Sequence, residues 1–183
     1  MITAARNAIA ACLFLGLAAC GGTTGDDTPV SDLPRDPSPM EYVKITEGPC
    51  FGACPVYDFT LRGDGQVTFH GNRFTKESGQ SLGFRSVGTF LDAIETLKAH
   101  DFDTLKGFYD RGSEACKMAT TDHPTITVEV KSEALSGTLH WYTGCRGMDN
   151  RIKLERMVDE LKRVVDVEEY IGTDADRAAM RRR

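Results

Sequence analysis

Cysteine carries most of the chemistry that can be read from this chain. Cys20 closes Leu17-Ala18-Ala19-Cys20, a Leu and two small residues ahead of a thiol, at the end of an apolar N-terminal run. Lipoprotein processing reads this pattern. The thiol accepts a diacylglycerol, the chain is cut before Cys20, and the new N-terminus is acylated. Each buried methylene is worth ~0.8 kcal/mol and one acyl chain holds only marginally, so stable anchoring needs the several chains this modification supplies. Cys12 lies inside the discarded leader. Cys50, Cys54, Cys116 and Cys145 remain. An even number in an exported domain reads as disulfides, because that compartment is oxidising. Four cysteines allow three connectivities, and Cys50–Cys54 with Cys116–Cys145 is the expected set. Gly52 lets the first loop bend sharply. Antiparallel pairing of the strands near Ile126 and Trp141 would bring Cys116 and Cys145 to one end of a sheet. Closing that second loop of about 30 residues is worth ~3 to 4 kcal/mol.

The same thiols admit other chemistry. A zinc or copper(I) site needs four thiolates converging tetrahedrally, and Cys116 and Cys145 lack the spacing of a second knuckle. Thiol–disulfide exchange would use Cys50 or Cys54 as nucleophile. Three residues separate them rather than two, and no helix begins at Cys54 to lower a thiol pKa. Histidine, the usual general base, occurs at His70, His100, His123 and His140. His70 and His140 fall on polar strand faces, where they could meet across a sheet; the solvent-facing state is the expected one. His-Glu-x-x-His, Gly-x-Ser-x-Gly and phosphate-loop motifs are absent. The lone Asp64 of Gly63-Asp64-Gly65 reads as a turn rather than a calcium loop. The expectation is no catalytic residue, no metal and no cofactor.

These residues need elements to position them. Residues 1–19 have the positive start, short apolar core and small-residue end of an export signal, and are too short for a spanning helix of ~20 apolar residues. Residues 20–40 are rich in Gly, Pro, Asp, Ser and Thr and read as a flexible tether. Residues 41–171 suffice for one domain, and residues 172–183 read as a disordered basic tail. With 22 Lys and Arg against 27 Asp and Glu, the net charge of −5 carries no nucleic-acid footprint. Tyr42 to Thr46 is a short strand. Tyr57, Phe59 and Leu61 alternate with polar residues, Gly63-Asp64-Gly65 turns the chain, and Val67 and Phe69 return, which predicts a hairpin. Thr89 is placed to cap a helix with Phe90, Ile94 and Leu97 on one face. Ile126, Val128 and Val130, then Leu139 and Trp141, predict a second hairpin. Asp149 or Asn150 opens a last helix whose stripe is Leu154, Met157, Val158, Leu161, Val164 and Val165. The expected class is α+β: an antiparallel four- or five-stranded sheet with two helices packed on one face, in ββα-ββα order.

At Cys50-Phe51-Gly52-Ala53-Cys54-Pro55-Val56-Tyr57 the chain resembles bacterial domain-of-unknown-function family 6438. Members open with Cys-Phe-Gly-x-Cys-Pro-x-Tyr, a strand and a Gly-Asp-Gly turn, here Gly63-Asp64-Gly65. They continue with a helix ending in Asp-Phe, here Asp101-Phe102, and a Thr-Asp-x-Pro segment, here Thr121-Asp122-His123-Pro124. The resemblance spans roughly Tyr42 to Val165. It implies the domain boundaries and no activity. The expected role of Asp122 is an Asx-turn that starts the next strand.

The function expected from all this is an envelope-anchored, non-enzymatic binding or scaffold domain. Gly21 follows Cys20 where an Asp commonly retains lipoproteins in the inner membrane, so the expected address is the outer membrane, facing the periplasm. The expected partners are the membrane, through the N-terminal lipid, and an envelope protein or peptide. The uncovered sheet face, with Arg62, His70, His140 and Tyr142, is the expected binding face, and an unpaired outer strand could take a peptide by strand addition. The alternative is a thiol-based redox or metal-binding envelope protein centred on Cys50 and Cys54. A hydrolase would need a closed pocket holding a His and a carboxylate.

Overall fold

The computed structural model describes residues 35–180. The expected leader, Cys20, most of the expected tether and residues 181–183 lie outside the described residues. Period-2 alternation produces the strands. In β1 (Tyr42–Glu47), β2 (Val56–Arg62) and β3 (Gln66–Arg73) every second side chain turns inward. Val43, Ile45, Tyr57, Phe59, Leu61, Val67 and Phe69 are all fully buried. β2 and β3 join at Gly63-Asp64-Gly65. Gly65 takes a φ of +85°, and a Cβ there would sit 2.2 Å from the Arg85 carbonyl oxygen, so only glycine fits. β4 (Gly79–Phe84) follows, then α1 (Val87–Ala99), α2 (Phe102–Leu105) and β5 (Gly107–Tyr109). β6 (Met118–Ala119) precedes the second long hairpin, β7 (Thr125–Lys131) and β8 (Ser136–Tyr142), and β9 (Cys145–Arg146) pairs back with β6. The chain closes with α3 (Arg151–Val164), α4 (Glu168–Ile171) and α5 (Asp174–Met180).

The main sheet has seven strands in the order β4-β3-β2-β1-β7-β8-β5. This overturns the expected four- or five-stranded antiparallel sheet with two helices in ββα-ββα order. β1 lies between the two hairpins and joins them, antiparallel to both β2 and β7. β4 extends one edge. β5 extends the other edge parallel to β8, which makes the sheet mixed. β4 escapes the periodicity because its inward positions are Ser81 and Gly83. A Cβ on Gly83 would lie 2.1 Å from the Tyr170 hydroxyl, so Tyr170 of α4 fills the core where a strand side chain would stand. Tyr170 stacks on Phe69 (4.9 Å) and Phe69 on Tyr57 (5.8 Å). Each such buried ring contributes roughly 1.5–3 kcal/mol.

The long helices match their predicted faces. Phe90, Ile94 and Leu97 of α1 are buried, as are Leu154, Met157, Val158 and Leu161 of α3. α1 starts earlier than expected, because the Ser86 hydroxyl, not Thr89, caps it by accepting the Thr89 N–H (3.2 Å). Residues 174–180, read from sequence as part of a tail, form α5. Thr173 and Asp176 cap each other's backbone N–H groups (2.9 and 3.2 Å) and start that helix. At the hairpin end of the sheet the Glu41 carboxylate accepts the N–H groups of Ser38 and Glu133. These bonds, with Arg35 nearby, hold its pKa below the ordinary value. The residues leading into β1 are thereby fastened to the β7–β8 turn.

Candidate functional site

A cleft of about 820 Å³ opens where β1 ends and β2 begins. One wall is the loop Cys50-Phe51-Gly52-Ala53-Cys54-Pro55. The other is Val167, Glu168 and Ile171, followed by Gly172, Asp174, Arg177 and Ala178. The loop is rigid for local reasons. A disulfide joins Cys50 and Cys54, with Cα atoms 5.8 Å apart. The Phe51 N–H donates to the Asp122 carbonyl (3.2 Å). Asp122 aims that carbonyl by adopting a left-handed φ of 72°, while its carboxylate accepts the Thr121 hydroxyl (2.9 Å). The Cys-Phe-Gly-x-Cys-Pro and Thr-Asp-x-Pro segments, far apart in sequence, thus meet in one structure. A register shift between Val56 and Tyr57 interrupts the β2–β3 ladder one pair before its end, beside the cleft, as bulges often do near sites. Phe51 itself stands 84% exposed at the rim.

The floor is polar. Glu47 is buried at 7% exposure, and Lys162 of α3 reaches it at 2.5 Å. The Tyr57 hydroxyl lies buried behind them, beside the Glu47 carboxylate but without a well-formed hydrogen bond among the described residues. Burial, reinforced by the Glu47 carboxylate, holds the Tyr57 phenol well above its ordinary pKa. Arg177 donates to the Gly172 carbonyl and pairs with Asp174 on the far wall. Apolar walls with a few convergent polar groups suit the binding of a ligand or peptide segment. Among the described residues no nucleophile–base pair of the kind that activates a Ser, Thr or Cys lines the cleft.

Cys116 and Cys145 form the second disulfide, Cα atoms 5.3 Å apart, and clip the β6–β9 ribbon. Among the described residues no three His, Cys, Asp or Glu side chains are placed to hold a metal ion. Of the four residues expected on one binding face, Arg62, His70 and His140 share the helix-free face but stand apart along it, and Tyr142 is closed off. Arg62 lies on the helix-free face, its guanidinium on the Pro39 carbonyl (2.8 Å). His70 is exposed on β3. His140 on β8 stacks against Phe108 (4.6 Å) and meets Thr127 Oγ1 (3.2 Å), with Asp110 at 3.7 Å. β2, β1 and β7 separate the two histidines, so they do not meet. Tyr142 is buried, not open: its hydroxyl donates to the Thr120 carbonyl (2.7 Å) and takes the Arg111 guanidinium. Of the other histidines, His100 pairs with Glu160 of α3 (3.0 Å) and His123 stands edge-on to Tyr142. Sequence reasoning missed Glu47, Lys162 and Arg177. An isolated Glu ending a strand and cations on a helix carry no local signal of convergence.

The family model described as Domain of unknown function (DUF6438) matches residues 41–162, and the chain belongs to that family. No curated protein matches the chain.

Proposed function

We propose that the protein is a lipid-anchored, non-enzymatic binding domain of the bacterial envelope, and that the cleft beside Cys50–Cys54 takes its partner. One observation supports this above the rest. Cys50 to Cys54, the first five residues of the motif by which the sequence resembles its family, form the rim of a recess, while Pro55 and Tyr57 of the same motif are buried beside it. The disulfide and the Asp122 carbonyl preorganise that rim, which lowers the entropy cost of binding. Cys20 supplies the anchor, and no described helix is long and apolar enough to cross a membrane. The open sheet face around Arg62, His70 and His140 is a secondary surface.

The test has two arms. The N-terminal mass of the purified chain should carry the acyl groups on Cys20, and Cys20→Ser should release the protein from the membrane fraction. A photo-crosslinking side chain at Phe51 should trap one discrete partner in cells, while the same probe at exposed Leu91 on α1 should not. Equal labelling from both positions would remove the cleft from consideration. The thiol-based reading draws on one observation, that the Cys50–Cys54 disulfide is only half-buried at the rim. Alkylation without reductant decides it: free Cys50 and Cys54 thiols in the exported protein favour exchange chemistry, and their absence favours a structural clip.

A further inference from the structure

We propose that β4 is a self-pairing edge, along which two copies of this chain join antiparallel into one continuous sheet. Natural sheets protect their edges with charge, proline, bulges or short strands. β4 reads Gly-Gln-Ser-Leu-Gly-Phe, six residues without charge or proline, and its register with β3 is uninterrupted. The opposite edge, β5, has only three residues.

The direction of the backbone groups follows from one bond. The Arg85 N–H donates to the Gly65 carbonyl (2.8 Å). Antiparallel alternation then turns the N–H and C=O groups of Ser81 and Gly83 toward β3, and those of Gln80, Leu82 and Phe84 outward. Among the described residues, only the Arg85 guanidinium meets this outer row, at the Phe84 carbonyl (3.3 Å). The same outward residues carry the apolar side chains. Leu82 is 69% exposed and Phe84 73% exposed, both on the helix-free face.

The strand is its own complement. A two-fold axis through Gly83 sets Leu82 of each copy opposite Phe84 of the other, the aliphatic–aromatic cross-strand pair that stabilises sheets. Gly83 at the axis places no side chain between the copies on the core side. No like charges oppose one another, because Leu82, Gly83 and Phe84 face only one another and Arg85 falls opposite the neutral Ser81. One strand edge and two apolar side chains per copy fall short of the ~800 Å² per partner of a standard interface. The pair is therefore weak in dilute solution and fills as concentration rises.

The experiment uses the full chain carrying Cys20→Ser, secreted and purified, in sedimentation velocity and residue-resolved amide exchange over a concentration series. Dimer should accumulate with concentration. The amides of Leu82 and Phe84 should then exchange at least about tenfold more slowly, while those of Ser81 and Gly83, already paired to β3, stay unchanged. Leu82→Lys, at an exposed position that leaves the fold intact by circular dichroism, should return the monomer. A dimer in which the Leu82 and Phe84 amides exchange at the monomer rate overturns the proposal, as does a dimer insensitive to Leu82→Lys. A chain that stays monomeric at every concentration also overturns it, and leaves the edge to a strand from another protein.

Discussion

Replacing Cys116 and Cys145 together with Ala is expected to cost about twice the stability lost on replacing Cys50 and Cys54. The sequence separations are 29 and 4. In the chain-entropy account, closing the longer loop is worth ~3.6 kcal/mol and the shorter ~2 kcal/mol. Packing widens the gap. Cys116 and Cys145 are 1% and 0% exposed, in a small cluster with Tyr142 and Met148, so removing their sulfurs adds ~1 kcal/mol of lost contact. Cys50 and Cys54 are half-buried and add little. The expected totals are ~4–5 and ~2 kcal/mol. Urea unfolding of the secreted, oxidised chain measures both. The urea slope should also rise in the Cys116/Cys145 variant, since an unclipped denatured chain exposes more surface. Against a total stability of ~5–15 kcal/mol, that variant should be marginal at body temperature. Equal losses from the two pairs, or a larger loss from Cys50/Cys54, would refute the assignment of stability to loop closure.

Variants at three buried or paired polar groups carry the remaining predictions. Tyr57→Phe should leave stability unchanged or raise it by up to about 1 kcal/mol, because the buried hydroxyl makes no well-formed hydrogen bond; a loss beyond ~1 kcal/mol in chemical denaturation would show that its contact with Glu47 is a true hydrogen bond. The same variant should flatten the alkaline limb of a stability–pH profile. The Tyr57 pKa is raised in the folded state, so the unfolded chain releases the proton first and stability falls above pH ~10 by up to ~1.4 kcal/mol per pH unit. Lys162→Met should cost ~3 kcal/mol by leaving Glu47 buried and unpaired, and Glu47→Gln in the same chain should recover most of it; no recovery in thermal melts would show that the lysine stem, not the charge, supplies the stability. Glu41→Gln should cost ~1 kcal/mol at neutral pH. Because the Glu41 pKa is lowered in the folded state, its contribution is present above the ordinary carboxylate range and lost as pH falls through the folded value. The variant should therefore match the parent in acid, and a gap that persists at pH 2 would contradict the ion-based account.

What could be read in advance was local. Alternation at Tyr57-Phe59-Leu61 and Val128-Val130 marks strands because one face is buried and the other wet. The stripe at Leu154, Met157, Val158 and Leu161 marks a helix for the matching reason. Loop spacing made the disulfide pairs legible. β4 was illegible because its core is borrowed: Tyr170, far along the chain, fills the space above Gly83. β5 was illegible because three residues paired in parallel carry no periodic signal. The placement of β1 between two hairpins is a long-range choice that no window of sequence reports. The cleft was half legible. Its loop stood out by composition, whereas its floor of Glu47 and Lys162 exists only because β1 and α3 end side by side.

The short helix α4 ties the cleft to the β4 edge. Ile171 and Glu168 wall the cleft, while Tyr170 between them lies under Gly83 and stacks on Phe69, which stacks on Tyr57 behind the cleft floor. A packed row of rings transmits displacement stiffly, yet stiffness is not coupling. Coupling requires an element with two discrete arrangements, and this row is packed in one. Cleft occupancy and edge pairing should therefore be thermodynamically independent. The same packing dictates which variants can separate them. Tyr170→Ala would loosen both sites at once and report only on the core. Substitutions at Phe51 on the rim and at Leu82 or Phe84 on the edge leave that row intact. Loss of partner crosslinking at Phe51 in a Leu82→Lys background would then contradict the independence of the two surfaces and place a second conformation in α4.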